Sequence, residues 1–514
     1  MGKPSRRLQR QWMNERKLER RRAAERLRVR QAAIGLESRA RPTIFNGKSA
    51  WKTVGEEAEA RQSAVEEQIK IYRSIMPTLL RRFAKIGDPR NPKGVKHKAT
   101  VLMLYGILSF VFQMGSRREV NREMTLPMFQ QNLRLIFPEL DSLPHQDTLN
   151  RLLSRIEVDK IEDTLVELIQ RFIRQKKFYR YLVSERYPIA IDGTQKMVRD
   201  WCWEEDCLER QIQCKLPGGN VGSRPQYYVY VLEASLAFAN GITIPLMSEF
   251  LRYMEGDDQE TSKQDCERKA FDRLARRIKD RFPRLRIQVF LDGLYPNGPV
   301  METCRHYGWQ YMIVLQDGNL PSVWEEVEGL RKLQTRNHLD RTWGNRKQYF
   351  WWVNDIEYRY GDKERRRQVV HVVVCRESWE EVDLVSARIV TKHSKHAWLS
   401  SEALSRENVH QRCNLGARHR WAIESNFLVE KHHGYKYEHC FSHNWNAMRG
   451  YHFLMRLGHL INILSQNTEV LAKLVVQRGV RGLIRFMRET CAGPWLDAER
   501  IRHVLASPCQ IRLR

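Results

Sequence analysis

Three acids and two cations hold most of the chemistry this chain can do. Asp192 stands in YPIAIDGTQ, Asp292 in LRIQVFLDGLY and Glu424 in RWAIESNFLVEK. Arg420 precedes Glu424 by four residues and Lys431 follows it by seven. Steps of four and seven keep side chains on one helical face, so 420–431 reads as a helix with a carboxylate between two cations. The stretch has no Pro or Gly, and Trp421, Ile423, Phe427 and Leu428 are spaced for one apolar face. Taken alone, this is an ordinary Arg–Glu helix pair. The two upstream Asp residues change its meaning. Three carboxylates without an obligatory His or Cys are hard oxygen ligands, suited to Mg2+ or Mn2+ rather than zinc. Two such ions, about 3.5–4 Å apart, clamp the attacking and leaving oxygens of a phosphodiester.

Elements must bring these acids together. YPIAID reads as a short strand ending in Asp192, and residues 285–291 as a strand with Asp292 at its end. Functional groups collect at the carboxyl ends of parallel strands in an open sheet, and the two strands would have to be neighbours for the acids to meet. Each Asp is followed by Gly, which lets the chain turn and a substrate backbone approach. Residues 227–238 and 242–250 read as strands joined by Asn240-Gly241, a hairpin signal. A basic amphipathic helix over 262–282, a helix over 298–307 and a strand over 311–315 complete the pattern. The order predicts a three-stranded antiparallel meander extended in parallel by helix-linked strands, an α/β fold with a mixed sheet and packed helices. Between them and the Glu424 helix, 349–353, 356–360, 368–375 and 387–391 read as strands of an inserted β subdomain. A long helix with a broad apolar face follows at 445–464.

The N-terminal third reads as helical. Residues 1–40 are rich in Arg, Lys, Glu, Leu and Ala with few apolar positions, a pattern for a basic arm that orders on a phosphate backbone. Residues 40–75, interrupted by Pro42, Gly47 and Gly55, read as a linker followed by a helix, and 75–85 as a short helix. Helices are expected at 98–112, from 127, at 148–156 and at 161–178. In LPHQDTLNRLLSRI, Asp147 is the expected cap of an amphipathic helix that either docks in a DNA groove or belongs to a helical core. The resulting division is a basic arm and linker (1–75), a helical domain (76–180), a core in two parts (181–315 and 404–470), the β insertion (316–403) and a basic helical tail (471–514).

With its acids in this order, the chain resembles the IS4-like DDE transposases of insertion sequences, whose catalytic core is RNase H-like. That family carries its first Asp on the first strand, its second after the fourth, and its Glu on a later helix; Asp192, Asp292 and Glu424 match. Its Tyr-x2-Arg-x3-Glu-x6-Lys signature is matched by Arg420, Glu424 and Lys431, with Ala417 at the Tyr position. The β insertion and PHQDTLNRLLSRI also look like the group's, and the resemblance covers about residues 96–465. It implies that Asp192, Asp292 and Glu424 hold Mg2+ (Mn2+ substituting), that water nicks DNA at the element ends, and that the freed 3′-hydroxyl attacks target DNA. It implies that Arg420 and Lys431 hold phosphate oxygens, Arg by its fork and Lys as a point charge. The implied partners are double-stranded transposon ends and target, and a second copy of the chain in a synaptic dimer, in a bacterial cytoplasm at the nucleoid. A structure-selective nuclease on the same core, a silent transposase-derived DNA-binding protein and a basic RNA-binding protein are the rival readings.

Charge and composition agree with a polyanionic partner. Lys and Arg outnumber Asp and Glu by 88 to 61, a net charge of +27. Residues 1–30 supply twelve cations against three acids, so most of the excess lies elsewhere. Ten cysteines without a Cys-x-x-Cys pair, including Cys202, Cys207 and Cys214, read as reduced thiols rather than zinc ligands. The N-terminus lacks the apolar region of a signal peptide. The apolar run at 99–112 is shorter than the roughly 18 residues of a membrane span and reads as a buried helix. Trp343, Trp351 and Trp352 read as packing before base stacking, and Asp257 and Asp258 as solvated charge. His439 and His443 have the spacing of a helical zinc pair but lack a full ligand set.

Overall fold

The computed structural model describes residues 5–37, 47–140, 142–215, 221–252, 263–508 and 511–513. In chain order its helices begin with α1 (Arg6–Ala33), α2 (Val54–Phe83), α3 (Ala99–Val111), α4 (Arg117–Met124), α5 (Pro127–Ile136), α6 (Gln146–Leu153) and α7 (Asp159–Arg174). Four strands follow, β1 (Tyr187–Arg199), β2 (Leu208–Lys215), β3 (Val221–Ala237) and β4 (Thr243–Phe250), then α8 (Lys263–Arg281), β5 (Ile287–Leu291), α9 (Gly298–His306), β6 (Gln310–Val314) and α10 (Pro321–Arg331). Next come β7 (His338–Trp343), β8 (Arg346–Tyr360), β9 (Arg366–Val382) and β10 (Ile389–Ser400), and the chain ends in α11 (Trp421–His432), α12 (Trp445–Gln466), α13 (Glu469–Ala492) and α14 (Ala498–Ala506). The fold is mixed α/β, as expected. It divides into two compact units, one of residues 1–43 and 288–418, the other of residues 44–287 and 419–514.

In the larger unit, β3 is the central strand. β1 pairs antiparallel along one edge, from Ile189 opposite Leu236 to Arg199 opposite Tyr227. The other edge is shared by β2 and β4, both antiparallel. The expected meander is therefore present, with β2 as a strand the sequence reading missed. The hairpin is where Asn240-Gly241 placed it, with Gly241 at φ +90°, a backbone conformation that glycine adopts without strain. Asp192 does not end its strand: β1 continues seven residues beyond it to Arg199. The reason is local packing. A Cβ on Gly193 would stand 2.3 Å from the Tyr230 ring, so this glycine makes room for a cross-strand aromatic rather than a turn.

Helices pack around that sheet. The 99–112 segment is a buried helix, and no helix among the described residues is long and apolar enough to cross a membrane. Gly55 and the 75–85 segment do not bound separate elements; α2 runs from Val54 to Phe83 as one helix, with Pro77 inside it. The side chain that caps α6 is His145, while Asp147 sits in its first turn. Leu149, Leu152 and Leu153 bury α6 against α3 and α12, the arrangement of a core helix.

In the other unit, β5 and β6 are parallel, as the connecting helix predicted. β10 then pairs antiparallel with β6, β9 with β10, β8 with β9 and β7 with β8. The strands of the expected insertion thus continue the same sheet. The segments 349–353 and 356–360 are one strand bent by an irregularity between Val353 and Ile356, and α10 and β7 were not foreseen. Trp351 and Trp352 are both buried, Trp352 in a core with Phe290, Trp398 and Ala417. The basic N-terminal segment is not a free arm: α1 lies along β9, burying Ala23 and Leu27, and Arg30 pairs with Glu380 at 3.1 Å. Asp257 and Asp258 lie outside the described residues.

Candidate functional site

α11 is laid on the sheet by a narrow apolar seam. Ile423 and Phe427 pack with Ala190 of β1 and Ala237 of β3. Trp421 and Leu428, expected on the same face, are exposed; the buried face runs instead through Ile423, Asn426, Phe427 and Glu430, spaced at three, four and seven. The chain enters α11 through a π-helical turn at Gln411–Gly416 and a 3-10 turn at Ala417–Arg420.

That placement brings together side chains more than 220 residues apart in sequence. The Arg420 guanidinium donates to Asp192 Oδ2 at 3.3 Å and to Glu424 Oε1 at 2.8 Å. Asp192 Oδ1 accepts from the Gly193 amide at 2.9 Å. Arg420 is itself buried, and its Nε–H finds no acceptor among the described residues. Its position rests on two carboxylates of a strand and a helix, so it sets the distance between them. Lys431 stands two turns beyond Glu424 and is engaged by Glu438 at 2.9 Å.

Asp292 belongs to the other unit. It lies directly after β5, as read from the sequence. Its Oδ1 accepts from the Leu294 amide at 2.9 Å, an Asx turn. A Cβ on Gly293 would meet the Gln316 side chain at 2.8 Å. Here the Asp-Gly does form a turn.

A second ionic cluster, absent from the sequence reading, lies deeper in the larger unit. Glu233 of β3 is directly opposite Asp192 in the ladder, so the two side chains share a face of the sheet. Arg456 of α12 reaches Glu233 at 3.2 Å and Glu430 of α11 at 3.0 Å. His459 adds a 2.7 Å contact to Glu430. Ser248 and Tyr437 donate to Glu233 at 2.6 and 3.0 Å. A register shift between Gln195 and Met197 turns Lys196 of β1 inward, where its ammonium meets the Tyr437 carbonyl at 3.2 Å. Burial lowers Lys196 to about 8, against the pull of Glu233 and Glu430. Burial raises Glu233. Burial also works against ionised Glu430, but Arg456 and His459 prevail and its carboxyl lies below its ordinary value. The sequence did carry signals: a lone Glu in the apolar strand YYVYVLEASLAF, and His452, Arg456 and His459 at one helical spacing in an apolar helix.

Other candidates fall away on geometry. The segment with His439 and His443 is not helical, so their spacing does not put them on one face. Among the described residues, no group of three or more His, Cys, Asp or Glu side chains is arranged to hold a metal ion.

Residues 80–169 match the family model described as DDE_Tnp_1-associated, found with DDE-type transposases. The match relates the chain to transposase families. It covers the end of α2 through most of α7 and none of the three acids. No curated protein matches the chain.

Proposed function

We propose that this protein is a DNA transposase of the IS4-like kind, with an RNase H-like core, that cleaves strands at the ends of an insertion sequence and joins them to target DNA. The observation that carries the reading is the Asp192–Arg420–Glu424 cluster, in which the acid of a strand and the acid of a distant helix share one guanidinium. The transposase-associated match at residues 80–169 supports it from an independent part of the chain.

In this reading Asp192, Asp292 and Glu424 are the catalytic acids. Their donors are hard carboxylate oxygens, the donor type that Mg2+ or Mn2+ takes, and Asp192 and Glu424 are reachable from solvent at 15% and 33% of the side chain. Such ions supply Lewis acidity to the attacking and leaving oxygens. Arg420 holds Asp192 and Glu424 together through its two terminal nitrogens, and it binds a phosphate oxygen by giving up one of those bonds. Lys431 binds phosphate by exchanging Glu438 for the polyanion. Duplex ends and target are the substrates, and two copies of the chain act together on paired ends.

The test is strand cleavage of a supercoiled plasmid carrying the DNA that flanks the coding sequence, with Mg2+ or Mn2+. Wild type is expected to nick and then join strands, and Asp192→Asn, Asp292→Asn and Glu424→Gln each to abolish both steps while still binding DNA. Nicking without joining at paired ends would point to a nuclease. Activity that survives all three substitutions would remove the catalytic assignment.

A further inference from the structure

We propose that a cleft between α2 and α7, in the helical part of the larger unit, binds the phosphodiester backbone of duplex DNA. The proposal rests on the reading that the chain acts on DNA and adds a contact surface to it. The cleft has a volume of about 440 Å³ and is lined by Arg73, Arg81, Arg82, Arg171 and Arg174, with Glu167 as its acid. Five guanidinium groups face one carboxylate. A second, larger cleft beside α8 has six arginines but four acids, and its Arg273, Arg277, Arg281 and Arg449 are consumed in ion pairs. Of these two clefts, the one between α2 and α7 keeps the stronger excess of positive charge.

Its rear wall is fixed. Arg171 crosses from α7 to donate to the Ser74 carbonyl at 2.9 Å and to Thr78 Oγ1 at 2.8 Å, on either side of Pro77. Arg73 donates to the Val504 and Ser507 carbonyls, and Arg82 pairs with Glu167. Each guanidinium has five N–H donors, so these anchors leave others for a ligand. Arg81 and Arg174 are exposed and have no carboxylate partner among the described residues. The cleft therefore joins pinned cations to two uncommitted ones, which lowers the ordering needed on binding.

The size of the array selects a polyanion. Arg73 and Arg81 are eight residues apart on one helix, about 12 Å along its axis. That is too long for one phosphate, whereas a duplex presents a charge about every 1.7 Å. The Arg fork matches phosphate oxygens, and Arg81 falls inside the transposase-associated match.

The experiment measures binding of a labelled duplex of arbitrary sequence, with chelator present so that no cleavage occurs, across about 50–200 mM salt. The Arg81→Gln/Arg174→Gln double variant is expected to bind more weakly, with the slope of log K against log salt shallower by about two and an unchanged melting temperature. Arg81→Lys/Arg174→Lys is expected to recover most of that slope, since it restores the charge. Wild-type affinity and slope in the Gln variant would overturn the cleft assignment while leaving DNA action intact. Failure of wild type to bind duplex at low salt would overturn both. If inorganic phosphate at matched ionic strength stabilises wild type but not the Gln variant, and duplex affinity is equal in the two, the ligand is a small anion and the proposal fails.

Discussion

Two arginines in this protein do the same thing in different surroundings. Arg420 joins Asp192 of β1 to Glu424 of α11, and Arg456 joins Glu233 of β3 to Glu430 of the same helix. Asp192 and Glu233 are cross-strand partners, and the two Glu residues are six apart on α11. The chemistry is one guanidinium between two carboxylates in each case. Exposure separates them. The Asp192 and Glu424 side chains are 15% and 33% exposed, whereas Glu233, Glu430 and Arg456 are at 0%, 0% and 1%. In a buried set the charges have only one another to compensate them, and removing one member strands the others. A set at the rim keeps a carboxylate face that solvent, an ion or a phosphate can reach. The sealed cluster ties α11 to β3 and α12, and the open one leaves part of its carboxylates accessible to solvent.

Substitutions break the comparison in opposite ways. The largest effect is expected on activity at the open cluster. Glu424→Gln should lower strand cleavage by about 1,000-fold or more, equivalent to about 4 kcal/mol of transition-state stabilisation, with a urea midpoint close to wild type. Next comes stability at the sealed cluster. Arg456→Met leaves two carboxylates buried without their cation and should destabilise the fold by about 3–5 kcal/mol, read by chemical denaturation. An unchanged midpoint in Arg456→Met would mean that the two clusters do not differ as described.

A pH series sharpens the point at the edge of the buried network. Glu162 of α7 is buried, accepts from the Ser248 amide at 2.6 Å and pairs with Arg277. Burial, partly offset by Arg277, raises its carboxyl from 4.5 to about 7. A raised folded-state value means that its contribution is fully present below about pH 4.5 and is lost as pH climbs through about 7. The loss amounts to about 3 kcal/mol. Urea midpoints of wild type should therefore fall between pH 5 and 7.5 by a component that Glu162→Gln lacks.

Smaller effects follow from packing. Gly193→Ala pushes a Cβ against Tyr230 and should cost about 1–3 kcal/mol, with cleavage also reduced because Asp192 is its neighbour. Leu428→Ala, on the exposed side of α11, should shift stability by less than about 0.5 kcal/mol. Thermal melts of the two variants side by side check both.

How far the sequence reached depends on the range of the interactions involved. Asp292 at a strand end, the Asn240-Gly241 hairpin and the parallel β5–β6 pair follow from local turn chemistry and from an intervening helix. Asp192 was misplaced within its strand because Asp-Gly is a turn signal by itself, and only the ring of Tyr230, from another strand, makes Gly193 a packing residue. The apolar face of α11 was drawn too wide because Trp421 and Leu428 satisfy a helical period that the sheet does not use. Glu430 does not stand out in the sequence because its partners, Arg456 and His459, lie on a later helix.

By itself, the sequence determined the kind of chemistry and the kinds of element. Residue type fixes that carboxylates are hard donors and that a chain of net charge +27 favours a polyanion, and periodicity fixes helix or strand. Tertiary structure decided which carboxylates are open and which are sealed. Burial and ion pairing depend on distance in space, and residues such as Glu233, Glu430 and Arg456 become one group only when a strand and two helices close around them.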